Sequence, residues 1–73
     1  MTSLELIRQA VEKLTDIDPA LVVPEASLET LELDSLTMVE ILFTIEDVVG
    51  KEIPPDPRPK TIADLITLIE RAA

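Results

Sequence analysis

The residues able to do chemistry in this chain are few. It contains no Cys and no His, which removes a thiol nucleophile, an imidazole base and an ordinary zinc site. Hydroxyls, carboxylates and a few cations remain. The pair that stands out is Asp34-Ser35, inside the run Leu31-Glu32-Leu33-Asp34-Ser35-Leu36. As a catalytic nucleophile Ser35 has nothing to activate it, and the Lys residues fall outside the helix it opens, so an enzyme is the class least well served. In local-structure terms Asp34 is a helix N-cap and Ser35 a first-turn residue. Asp16-Ile17-Asp18 resembles the opening of a calcium loop, but Pro19 follows and no Gly stands at the required turn. Calcium is rejected there, and no metal site is expected.

Charge narrows the partners. The chain has 15 acids against six bases and a net charge of −9. Nucleic acid is excluded as a partner on that balance, because its phosphates call for Lys and Arg. The charge is also concentrated. From Thr15 to Val49 there is no Lys or Arg, while Asp16, Asp18, Glu25, Glu29, Glu32, Asp34, Glu40, Glu46 and Asp47 all fall there. The rest of the chain is neutral. A concentrated anionic half suits steering toward basic partner surfaces, with a merely solvated acidic face as the alternative.

The elements that must position Ser35 can be read from caps and spacing. Thr2-Ser3-Leu4-Glu5 is a capping box for a first helix with an apolar stripe Leu4, Ile7, Val11 and Leu14. That helix ends near Leu14 or Thr15. A long connection follows, with Val22, Leu28 and Leu31 as its anchors to the core; loops of that length are often functional. The second helix runs from Ser35 to Val49, capped by Asp34 and stopped by Gly50. Leu36, Val39, Leu42, Ile45 or Glu46, and Val49 lie along its expected inner face, with Met38, Ile41 and Phe43 partly outside it and Phe43 at the core's rim. Four of the six prolines lie in Ile53–Pro59, which forbids a regular helix there. That segment is expected to be pinned by Ile53 and Ile62. Thr61 and Asp64 open the last helix, with Ile62, Leu65, Ile66 and Ile69 inward. The fold class is all-α: a small bundle of three main helices with a long first loop.

Size agrees with this reading. Seventy-three residues, 47% of them apolar and Phe43 the one aromatic, make a single domain over 1–73 with an aliphatic core. Such a chain buries only roughly 60% of the surface its unfolded form exposes. The first residues carry neither a basic stretch nor a long apolar run, so no signal peptide is expected. No apolar segment approaches the roughly 20 residues of a membrane span. A cytoplasmic monomer is the expectation.

The Asp34-Ser35-Leu36 triplet after a long loop, followed by Val39-Glu40 and then by Gly50 and Ile53-Pro54, resembles the pattern of acyl carrier proteins over essentially the whole chain. The resemblance implies that Ser35 is esterified by 4′-phosphopantetheine, delivered from coenzyme A by a phosphopantetheinyl transferase that Asp34 helps to dock. Leu36 completes the attachment motif. A chain without Cys must borrow its thiol from such a group. The N-terminus of a helix also suits the phosphodiester, by roughly 0.3–1 kcal/mol at an exposed site.

Further consequences follow from the same resemblance. The second helix becomes the surface read by acyl-loading and acyl-processing enzymes with basic docking patches, through Glu40, Glu46 and Asp47, with Phe43 able to meet an apolar pocket. Neutralising the three acids should then cost little stability. The cargo would be an acyl thioester of fatty-acid, polyketide or related lipid biosynthesis. The chain itself would catalyse nothing. An aminoacyl carrier of the D-alanyl type and an unmodified acidic interaction domain remain as alternatives. Three positions depart from the family's pattern: Glu32 stands where members usually have Gly, Thr37 where many fatty-acid carriers have an acid, and the short third helix falls in the proline-rich segment and is expected to be reduced to a turn.

Overall fold

The computed structural model describes residues 2–54 and 58–72. Helix α1 spans Ser3–Leu14, a short 3-10 turn spans Pro19–Leu21, α2 spans Ser35–Val49 and α3 spans Ile62–Ala72. Each boundary has a local cause. The Thr2 hydroxyl accepts from the Glu5 amide at 3.1 Å and so starts α1. Asp34 Oδ1 accepts from the Thr37 amide at 2.8 Å and starts α2. Gly50, in the left-handed region at φ 72, ends it. Thr61 and Asp64 cap α3 reciprocally, each accepting the other's backbone amide at 3.2 Å.

The core is aliphatic, and α1 touches both α2 and α3. Leu6, Ile7, Ala10 and Val11 of α1 meet Met38, Ile41, Leu42 and Ile45 of α2 and Ile62, Leu65, Leu68 and Ile69 of α3. Burying each of the larger side chains contributes roughly 1.5–3 kcal/mol. The loop anchors Val22, Leu28 and Leu31 are all buried, joined by Leu33.

The inner faces differ from the sequence reading in three places. On α1 the stripe shifts toward Leu6 and Ala10, and Leu14 is exposed. On α3 Leu68 is buried where Ile66 is only half-buried. On α2 the difference is largest. Met38 and Ile41 lie at the centre of the buried face, whereas Leu36 is 70% exposed, Phe43 60% and Val49 39%. Phe43 is therefore a surface residue and not a rim residue of the core. The helix is apolar over most of its circumference, so periodicity alone could not choose between adjacent faces.

The two loops are held against each other by backbone bonds as well as by apolar anchors. Leu28 N–H donates to Lys60 C=O, Ile62 N–H to Ala26 C=O and Ala63 N–H to Pro24 C=O, all at 2.9–3.0 Å. These bonds hold the chain just after the proline-rich segment, beside the expected anchors Ile53 and Ile62, which are both buried. Residues 52–54 and 58–60 carry no helix, and the rest of the expected reduced third helix, Pro55–Pro57, lies outside the described residues.

Candidate functional site

Ser35 opens α2 with an exposed side chain. Asp34 before it is extended, at φ −75 and ψ 178, which turns its carboxylate back over the first turn to reach the Thr37 amide. That amide bond, supported by the Thr37 hydroxyl, holds the Asp34 carboxyl below the usual carboxylate range. The cap fixes the direction in which α2 starts and leaves the Ser35 hydroxyl facing outward.

The chain reaches this point through a strained residue. Glu32 has φ 59, the one non-glycine in the left-handed region among the described residues. Its amide donates to Glu29 C=O at 3.0 Å, and the Leu33 amide donates to Leu28 C=O at 2.8 Å. The turn these bonds close buries Leu31 and Leu33 on either side and delivers Asp34 to its capping position. A left-handed conformation costs an L-residue about 1–2 kcal/mol. This is a physical reason for the Gly that the resemblance leads one to expect there.

Across from Ser35 stands Arg58, whose guanidinium donates to Ser35 Oγ. The two residues are 23 apart in sequence. They border an open cleft of about 760 Å³, also lined by Glu29, Glu32, Asp34 and Lys60. Two cations thus face three carboxylates around one exposed hydroxyl. Sequence reasoning missed Arg58 and Lys60, since their approach depends on how the two loops close. The nearest available signal was Arg58-Pro59-Lys60 itself, a pair of cations in a stretch stiffened by proline.

The residues present suit an esterified anion. The hydroxyl is exposed and can be reached by another protein, the first-turn backbone favours negative charge, and a guanidinium is already in contact. The other two serines are less available. Ser27 Oγ bonds the Thr30 hydroxyl at 2.6 Å and accepts from its amide at 3.0 Å, and Ser3 is half-buried in the first turn of α1.

On the outer face of α2, Leu36, Glu40, Phe43 and Asp47 are all exposed. At 100° per residue they share a strip about 60° wide, which begins beside Ser35 and runs down the helix. Glu46 does not belong to it. It is half-buried, and its Oε2 accepts from the Ile53 amide at 2.6 Å. On this geometry its neutralisation is expected to cost stability, where the sequence reading expected little cost.

A family model described as the phosphopantetheine attachment site matches residues 5–69. The chain is 37% identical over 68 residues to the meromycolate extension acyl carrier protein of Mycobacterium leprae, covering 89% of this chain and 59% of that protein. It is 39% identical over 69 residues to the acyl carrier protein of Thermosynechococcus vestitus, covering 90% of this chain and 85% of that one. With the acyl carrier protein of Thermobifida fusca it shares 35% over 71 residues, covering 93% and 90% respectively. The chain thus spans about three fifths of the mycobacterial relative and most of the other two.

Proposed function

The chain belongs to the acyl carrier protein family, whose prosthetic group is 4′-phosphopantetheine, and from that premise we propose that Ser35 is the residue that bears the arm. The observation that carries the assignment is the exposure of the Ser35 hydroxyl at the head of α2, with Ser27 engaged and Ser3 half-buried. When attached, the group supplies the thiol that the chain lacks, and acyl cargo rides on it as a thioester. The chain's own part is to bind, orient and present. Asp34 sets the start of α2, and Arg58 and Lys60 offset the carboxylates around the hydroxyl.

In this reading the chain is one carrier domain over residues 1–73 that catalyses no step itself and works in the cytoplasm as a monomer. Its partners are a phosphopantetheinyl transferase and acyl-loading and acyl-processing enzymes with basic docking patches. The strip Leu36, Glu40, Phe43 and Asp47 is the surface they read, two apolar residues alternating with two acids beside the attachment point. Acids in the strip speed encounter with a basic patch, and the exposed Leu36 and Phe43 supply apolar area once docked. The cargo class is an acyl chain of fatty-acid, polyketide or related lipid biosynthesis, in keeping with relatives named for acyl carriage and meromycolate extension. Among the described residues no helix is long and apolar enough to cross a membrane.

The test is intact mass after incubation with coenzyme A and a promiscuous phosphopantetheinyl transferase. The chain should gain one phosphopantetheine, and Ser35→Ala should gain none while its stability stays within about 0.5 kcal/mol of the parent, as for an exposed first-turn change. Loading that persists in Ser35→Ala moves the arm to another residue and overturns the assignment.

A further inference from the structure

We propose that Arg58 holds the base of the arm: its guanidinium donates to the phosphodiester on Ser35 and so fixes where the arm leaves the protein surface. The proposal rests on Ser35 being the attachment point and adds a positioning residue to it. Arg58 already donates to Ser35 Oγ. Once that oxygen is esterified it becomes a poor acceptor, and the negative charge lies on the two non-bridging oxygens of the same phosphorus. A planar fork of N–H donors suits two such oxygens better than it suits a single hydroxyl. A small swing of a side chain already in place transfers the contact.

The surroundings make a cation necessary at this point. The cleft beside Ser35 is lined by Glu29, Glu32 and Asp34. A phosphodiester placed among three carboxylates is repelled, and the helix N-terminus alone offsets only part of that. Lys60 lines the same cleft and adds a second positive charge without the fork geometry.

Arg58 is also well held for a loop residue. Pro59 after it is buried, and a following proline restricts the preceding backbone to extended conformations. Lys60 is tied on both sides: its N–H donates to Asp64 Oδ2 at 2.9 Å, and its C=O accepts from Leu28 at 2.9 Å. The guanidinium therefore hangs from a span anchored to both α3 and the first loop. The same bonds that join the two loops set the cation opposite Ser35, and an arm gripped at its base samples fewer directions than one tethered through a lone ester.

The experiment loads the parent chain, Arg58→Gln and Arg58→Lys with phosphopantetheine, confirms each by intact mass, and records phosphorus NMR and melting temperature of the apo and holo forms. In the folded parent the phosphodiester resonance should stand apart from that of the urea-unfolded holo chain. Arg58→Gln should collapse that difference, and Arg58→Lys should restore part of it. At low salt, Arg58→Gln should lower the melting temperature of the holo form by about 2–4 °C more than that of the apo form, and the excess should vanish near 1 M salt. If the parent gains no mass, the attachment reading itself falls. If it loads but the phosphorus resonance is the same in the parent and Arg58→Gln, or the variant loses equal stability in both forms, the attachment stands and Arg58 is only a contact of the apo surface.

Discussion

The two ends of α2 each have a left-handed residue next to them, and the two are built differently. At the C-terminal end the residue is Gly50, at φ 72, with its amide bonded to Glu46 C=O at 2.8 Å. At the N-terminal end it is Glu32, at φ 59, two positions ahead of the cap. Glycine adopts this conformation without a Cβ penalty, whereas glutamate does not. The C-terminal end is closed for stability: Gly50 turns the chain, the Glu46 carboxylate takes the Ile53 amide, and Ile53 is buried. The N-terminal end keeps strain, an exposed hydroxyl and an open cleft with mixed charges. Backbone strain of this kind persists where surrounding structure over-determines it, commonly beside functional sites. With Ser35 as the proposed attachment point, structure and chemistry fall at opposite ends of the same helix.

The largest effect that follows is at the C-terminal end. Replacing Gly50 with Ala leaves the new Cβ in open space, with nothing within 4 Å, so any cost is conformational. The expected loss is about 1–2 kcal/mol, measured as a drop in urea midpoint at unchanged slope. A neutral outcome would mean that the turn can be closed another way, and the contrast between the ends would lose half its basis. Glu46→Gln comes next. It keeps the acceptor but removes its charge from a part-buried bond to Ile53, and should cost about 1 kcal/mol. An accompanying rise in amide exchange confined to the segment after Gly50 would show that this bond holds the second loop in place.

These contrasts were unequally legible in the sequence. The helix boundaries were readable because each rests on a local signal: Thr2 with Glu5, Asp34, Gly50, and Thr61 with Asp64. The inner face of α2 was legible only in part: Leu42 and Ile45 are buried as expected, but Leu36, Met38, Val39, Ile41, Leu42, Phe43 and Ile45 spread over more of the circumference than one buried face needs. What decided it was the packing of α1 against Met38, Ile41 and Ile45, a tertiary fact. Ser35 was legible from its motif and the resemblance. Arg58 was not, because its meeting with Ser35 depends on backbone bonds between two loops, such as Leu28 to Lys60, and no spacing rule encodes those. Glu32 lies between the two cases: the family's Gly at its position is visible from the sequence, and the backbone supplies the reason.

Glu32→Gly tests the strained end directly, and with the opposite sign. Relief of the left-handed conformation returns about 1–2 kcal/mol, and the extra freedom of glycine in the unfolded chain takes back roughly 0.5–1. A net stabilisation of about 0.5–1 kcal/mol is expected. Glu32→Gln separates this from the removal of a carboxylate from the cleft, since it keeps the Cβ and should gain much less. Equal gains in the two variants would show that charge crowding, and not backbone strain, is what distinguishes the N-terminal end.

The smallest effect concerns the caps, and it asks whether Asp34 still serves α2 as an ordinary cap. Asp64 provides the reference, because it caps α3 and not α2, with the amides of Lys60 and Thr61 as its donors. Its carboxyl is held below the ordinary value of 3.8 by the backbone amides of Lys60 and Thr61, and that of Asp34 by the amide of Thr37. A carboxyl whose value is lowered on folding contributes stability that is complete above its unfolded value. That contribution is lost as the pH falls through the folded value, so the window lies below about pH 4. Asparagine caps nearly as well and does not titrate. Asp34→Asn and Asp64→Asn should each therefore be less stable than the parent at pH 7, and the gap should narrow as the pH falls below about 4. Both carboxylates are exposed and screened, so the changes are small and need urea midpoints at low salt to resolve. Parallel narrowing in the two variants means that Asp34 caps α2 as Asp64 caps α3, whatever else it meets. A gap at Asp34 that stays flat with pH, beside one that closes at Asp64, would mean that the Asp34 charge adds nothing to the folded helix. Its place beside Ser35 would then have to be explained by the transferase alone.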